Sequence, residues 1–245
     1  MKYEDSNIQS IGDLLERLKR HIGDYKGPIW YRGHSDADWN LEPKFMRLAE
    51  SPPETHYLNK FKQDASMILN HQPKNEFEWL FLMQHYGVPT RLLDWTESPL
   101  VGLYFSLLTH LDKPGALWVL LPCDLNLISN YRPDFEFEIP SFEDEHMLGY
   151  VPSTIARENK SKLYPMAAIA PRNSPRMQAQ QGVFTISHRE NLFVDKAGAD
   201  GTPKNHSWRY IILPKDKERL KQDLAILGID RFQLFPELES IAHKI

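Results

Sequence analysis

Apolar residues return every three or four positions in "IGDLLERLKRHIG", at Ile11, Leu14, Leu15, Leu18 and Ile22, and the run closes on a glycine. That spacing predicts a helix over 11–23 with one buried stripe. Residues 54–69 repeat the pattern through Tyr57, Leu58, Phe61, Ala65, Ile68 and Leu69. Residues 75–87 predict a third helix, with Asn75 as its cap, Glu78 as the capping-box partner and Gly87 as its end. Over 98–111 Ser98 caps and Pro99 fills the first helical position of a fourth. Runs at 28–34, 115–122, 164–171, 181–187 and 208–214 are short, apolar or aromatic, and bounded by turn residues, so they read as strands. A helix with a charged face follows at 215–228, and "PELESIAHKI" (236–245) closes the chain.

From 123 to 162 no period survives, and the stretch reads as an irregular insertion or lid. Residues 195–205, "DKAGADGTPKN", read as an exposed loop. Helices crowd the first half and strands the second, with no repeat or composition break. The expected class is α+β, packed as one domain over 1–245.

Hydrophobic residues make up 41% and charged residues 25% of the 245, the globular range. A net charge of -4 gives no global basic field toward nucleic acid or anionic membrane, although a local basic groove stays open. Cys123 is alone, so neither a disulfide framework nor a thiolate metal site is expected. The N-terminus lacks an apolar signal core, and no apolar run approaches the ~18 residues of a membrane span. A soluble cytoplasmic protein with no membrane partner is the expectation.

Three segments carry more polar and aromatic detail than folding needs. In "WYRGHSDADWNLEPKF" (30–45), Arg32 beside Gly33 suits a bidentate grip on a phosphate or carboxylate, with the glycine admitting the ligand to the backbone. It equally suits a strand-end arginine paired with a carboxylate. "QHYGVPTRLLDWTESP" (84–99) joins two predicted helices and offers His85, Thr90, Arg91, Asp94, Trp95, Thr96 and Ser98. Here Arg91 and Asp94 can simply pair, His85 can satisfy helix-end carbonyls, and Ser98 can cap. "PRMQAQQGVF" (175–184) places Arg176, Gln178, Gln180 and Gln181 at a strand entrance. No helical histidine pair or cysteine pair marks a zinc site, and no phosphate-binding glycine fingerprint or G-x-S-x-G elbow occurs. Asp134, Glu136 and Glu138 alternate as in a magnesium nuclease, but the lysine such sites place nearby is missing.

In order along the chain, these segments and the terminal "LFPELESI" resemble the FRG-domain family, with Tyr31-Arg32-Gly33 standing for its Phe-Arg-Gly motif. They also follow the order of motifs in ADP-ribosyltransferases: an arginine on a first strand, a polar strand leading into a helix, and an acidic residue entering a late strand. This resemblance implies NAD as a substrate, no metal, and a protein or nucleic-acid target, as in a toxin or defence effector. It makes Arg32, Thr96 and Gln181 the catalytic positions. It surrounds the nucleotide with Tyr31, Gly33, His34, His85, Arg91, Asp94, Trp95, Arg176 and Gln178. Gln178 and Gln181 are neutral where the family has a glutamate, so the charge must come from elsewhere, such as Glu136 or Glu138. The alternative is a non-catalytic module that recognises a nucleotide or an anionic partner group. Both readings bring Arg32, the 94–96 segment and Gln181 to one cavity.

Overall fold

Ser10 accepts a hydrogen bond from the Asp13 amide and Gly23 closes the last turn, so the first apolar stripe becomes a helix in the computed structural model of the chain. The structure describes residues 1–158, 163–190, 192–198 and 205–242. In order they form β1 (Ser6–Asn7), α1 (Ile11–Ile22), β2 (Trp30–His34), α2 (Glu54–Ala65), α3 (Glu76–His85), β3 (Leu92–Thr96) and α4 (Pro99–Ser106). There follow β4 (Gly115–Leu120), α5 (Pro122–Ile128), α6 (Pro152–Arg157), β5 (Met166–Ala168), α7 (Pro175–Ala179) and β6 (Gly182–Ile186). β7 (Ser207–Ile212), α8 (Pro214–Ile226), α9 (Arg231–Leu234) and α10 (Leu238–Ala242) complete the described chain. The fold is α+β: one mixed sheet in the order β1-β7-β4-β2-β3-β6-β5, drawing strands from both halves of the chain.

The pleat sends alternate side chains to opposite faces. On one face Tyr31, Leu117, Val119 and Tyr210 pack under α1, α4 and α8 through Leu14, Leu103, Leu220 and Leu224. Farther along that face Leu92, Phe184, Ile186 and Met166 pack under α2 and α3 through Leu58, Leu80 and Met83. The opposite face carries Trp30, Leu93, Trp95, Trp118 and Val183, covered by Leu41, Leu125 and Val194. The two helical groups thus sit side by side on the first face and meet over β2, β3 and β6.

Two glycines set how closely α4 approaches. A Cβ on Gly33 would lie 2.1 Å from the Gly102 carbonyl oxygen and 2.4 Å from the Ser106 nitrogen. A Cβ on Gly102 would lie 2.9 Å from the Tyr31 Cβ. The two backbones touch because neither residue has a side chain. Gly33 therefore admits a helix to the backbone, a role not expected from the sequence, and it also borders a cavity.

Other expectations are corrected. Residues 92–96, read as loop between helices, form β3, which pairs with β6 over five aligned positions. The fourth helix stops at Ser106 because the Ser35 hydroxyl takes the Phe105 carbonyl and Lys217 takes the His110 carbonyl. Of the stretch read as an insertion at 123–162, residues 159–162 lie outside the described residues; the rest holds α5, a 3-10 turn at 145–150 and α6, and Phe142, Met147 and Tyr150 enter the core. These pieces are too short for a period to show over two turns. Asn126 of α5 holds β5 from both sides, donating to the Ala167 carbonyl and accepting from its amide. Residues 175–179, read as an extended strand entrance, are a helix capped by Ser174. Of the loop read at 195–205, residues 199–204 lie outside the described residues, as do 243–245 at the end of the closing segment.

Candidate functional site

Strands β2 and β3 align at one position only, Tyr31 with Thr96, whereas β2 matches β4 at five. Beyond that position Arg32 does what a ladder amide would otherwise do: its Nη1 donates to the Asp94 carbonyl at 2.5 Å. Above this opening lies a cavity of about 570 Å³, inside the ~300–1,000 Å³ range of small-molecule sites. Its sheet side is Tyr31, Arg32, Gly33, Asp94, Trp95 and Thr96. Phe81, Gln84 and His85 of α3 form one wall and Phe105 of α4 another, and Ser174, Arg176 and Gln180 stand at the α7 end.

Arg32 is the centre of this geometry. Its Nε donates to His34 Nε2 at 3.0 Å. An arginine only donates, so Nε2 must accept, and the imidazole proton sits on Nδ1, 3.2 Å from the Trp39 carbonyl. Burial, and then the Arg32 charge, push the His34 pKa down to about 3, which keeps the ring neutral and in that tautomer. Burial also lowers the Arg32 pKa while Asp94 raises it, and a guanidinium stays charged throughout. Two of its five N–H donors are taken, leaving three, and among the described residues it forms no ion pair.

Asp94 is the acid of the sheet side. Thr90 Oγ1 accepts the Leu92 amide, so its own proton goes to Gln84 Oε1 at 2.6 Å. That orientation turns the Gln84 amide nitrogen toward Asp94 Oδ2, 2.7 Å away. The carboxylate is thereby aimed by a chain of two hydrogen bonds, with Oδ1 unengaged among the described residues. Glu78, also in the lining, is occupied by the Lys74 amide.

The remaining residues singled out from sequence divide. The Thr96 hydroxyl donates to the Gln180 carbonyl at 2.7 Å and accepts from the Ser98 amide at 3.0 Å, so it ties β3 to α4 and to the α7–β6 corner. Trp95 gives its indole N–H to Thr185, and its ring belongs to the opposite face. His85 has its pKa lowered by burial first and then by Arg176. His34, Gln178 and Gln181 stand outside the lining, and both glutamines are exposed. Gln181 holds a left-handed backbone, φ 47°, at the turn into β6.

Arg91 is a correction of substance. It does not pair with Asp94 and does not reach the cavity. It is buried, 2.7 Å from Glu54 Oε2, and donates to the Ser187 and Tyr150 carbonyls. Its part is to fasten α2, β6 and the 145–150 turn together. The 134–138 acids are elsewhere too: Phe137 packs on Tyr25 near Gly27, and neither Glu136 nor Glu138 lines the cavity.

Sequence reasoning missed Gln84, Phe81 and Phe105. Gln84 did leave a signal, as the polar residue that ends the apolar run "WLFLM" before His85. No helix among the described residues is long and apolar enough to cross a membrane. No curated protein and no solved structure matches the chain. The family model of the FRG domain matches residues 27–114, so that stretch, which holds both Arg32 and Asp94, carries an FRG domain.

Proposed function

We propose that the cavity binds a nucleotide and acts on NAD as an ADP-ribosyltransferase-like site, with Arg32 holding a phosphate and Asp94 facing the ribose. The observation that carries this is the pairing, in one aromatic-walled cavity, of a guanidinium without an ion pair and a carboxylate aimed by Gln84. Charge-assisted bonds from an arginine suit phosphate oxygens, and Phe81 and Phe105 give the cavity aromatic walls against which a flat ring can pack.

The chemistry follows from the charges. Nicotinamide leaves with the electrons of its bond to the ribose, the sugar becomes cation-like, and a nucleophile closes on the same carbon while losing its proton to solvent. A carboxylate facing that carbon stabilises the developing charge. The resemblance to ADP-ribosyltransferases places an acid at the late strand, where this chain has Gln181. Asp94, on the neighbouring strand, supplies the charge instead. Two further features support the reading: the second motif lies on a strand that leads into a helix, and β2, β3 and β6 are consecutive in the sheet.

A time course of free nicotinamide tests it. Wild type releases nicotinamide; Asp94→Asn lowers the rate by ~10²-fold or more at similar KM, and Arg32→Ala raises KM. One observation favours the non-catalytic alternative: the Thr96 hydroxyl, a catalytic group by resemblance, is engaged in the fold. A flat wild-type trace across protein and nucleic-acid acceptors, with NAD bound by calorimetry, would leave that binding module.

A further inference from the structure

Six arginines among the described residues are buried or half-buried: Arg17, Arg32, Arg91, Arg172, Arg176 and Arg209. Four of them meet a carboxylate, Arg17 with Asp13, Arg91 with Glu54, Arg172 with Glu97 and Arg209 with Asp5. The two that meet none among the described residues, Arg32 and Arg176, both line the cavity. Partly desolvated charge without a counter-ion is costly, and the other four of these arginines avoid it; buried Lys217, which also meets no carboxylate among the described residues, instead spends its donors on the Ser35 and His110 carbonyls.

We infer that Arg176 is a second anion contact of the cavity, so that the ligand carries two anionic groups, as a nucleoside diphosphate or dinucleotide does. This rests on the nucleotide reading of the site. Arg176 is held for the task without being neutralised. Its guanidinium carbon lies 4.8 Å from the centre of the Phe235 ring, a cation–π contact that fixes its position and leaves its N–H donors open. Phe235 belongs to the terminal "LFPELESI" segment, and it packs edge-on against Phe105 of the cavity wall. Gln180 fastens that segment to the α7 corner by donating to the Leu234 carbonyl. The same ring bears Arg231 at 5.6 Å, but Arg231 has Glu239 as its counter-ion. A role for the C-terminal motif follows: it positions a cation at the cavity's far end, away from the family-matched stretch.

Calorimetric titration with AMP and with ADP-ribose tests the assignment. Wild type binds ADP-ribose more tightly than AMP. Arg176→Leu weakens ADP-ribose at least ~10-fold while AMP is unchanged, and Arg176→Lys recovers part of the loss. Phe235→Leu produces the same split between the two ligands, which a general loosening of the fold would not. Thermal melting confirms that each variant is folded. Arg176→Leu binding ADP-ribose like wild type would overturn the proposal, as would equal losses for both ligands or a wild type that binds neither. Wild type that binds ADP-ribose with the Arg176-dependent split, yet releases no nicotinamide from NAD, sinks the transferase reading alone.

Discussion

Two arginines, Arg32 and Arg91, looked interchangeable as ligand contacts and turn out to be opposites. Arg91→Met leaves Glu54 buried and uncompensated, so it should cost ~3–5 kcal/mol of stability in denaturant melts. Arg32→Ala should melt closer to wild type and lose ligand binding. Equal destabilisation by the two would make Arg32 a strut between β2 and β3. Gln181 gives a second residue-scale prediction. Being exposed and outside the lining, its replacement by Glu should leave nicotinamide release unchanged, whereas Asp94→Asn should abolish most of it. A rate gain in Gln181→Glu would return the missing acid to the late strand. Sequence did single out Arg32 and Asp94, because charged residues among aromatics are conspicuous. It could not separate Arg32 from Arg91, since which arginine meets a carboxylate depends on Glu54, 37 positions away.

At the scale of elements, the helices with capped ends and a repeating stripe were legible and β3 was not. "LLDWT" alternates too briefly, and of its two polar residues Asp94 is exposed at the cavity while Thr96 is buried, so the pattern of a half-buried strand never forms. α7 was hidden for a related reason: five residues show no period, and only the Ser174-Pro175 start was there to read. The motif glycine belongs to this scale as well. Gly33 lets α4 lie on β2, and α4 brings Phe105 to the cavity. Gly33→Ala must push its new methyl into the Gly102 carbonyl and Ser106 nitrogen, both backbone atoms that cannot swing aside. The expected loss, ~3 kcal/mol or more, should match or exceed that of Leu103→Ala, a core truncation in the ~2–5 kcal/mol range. A Gly33→Ala protein as stable as wild type that has merely lost ligand binding would give the glycine back to the ligand.

The whole molecule should register acid through two buried imidazoles. Burial, reinforced by Arg32, depresses the His34 pKa to about 3, and burial with Arg91 depresses that of His188 to about 4. In the unfolded chain both return to about 6.5. As pH falls below 6.5 the unfolded state takes up protons that the folded state refuses, so stability declines with falling pH and is flat above that point. Each histidine contributes a slope of up to ~1.4 kcal/mol per pH unit, continuing to its own folded value. Burial raises the Asp124 and Asp195 carboxyls, whose contribution has the opposite sign, so the fall is assigned to the histidines by comparing variants with wild type. Melting temperatures at pH 7.5, 6 and 5 should fall stepwise for wild type and less steeply for His34→Gln and His188→Gln, whatever their starting stability. Ligand binding should fail with folding at the acid end, because a protonated His34 can no longer accept the Arg32 Nε–H bond and would set two cations 3.0 Å apart. A His34→Gln variant with the full wild-type slope would show that the Arg32–His34 pair is not what this fold defends against acid.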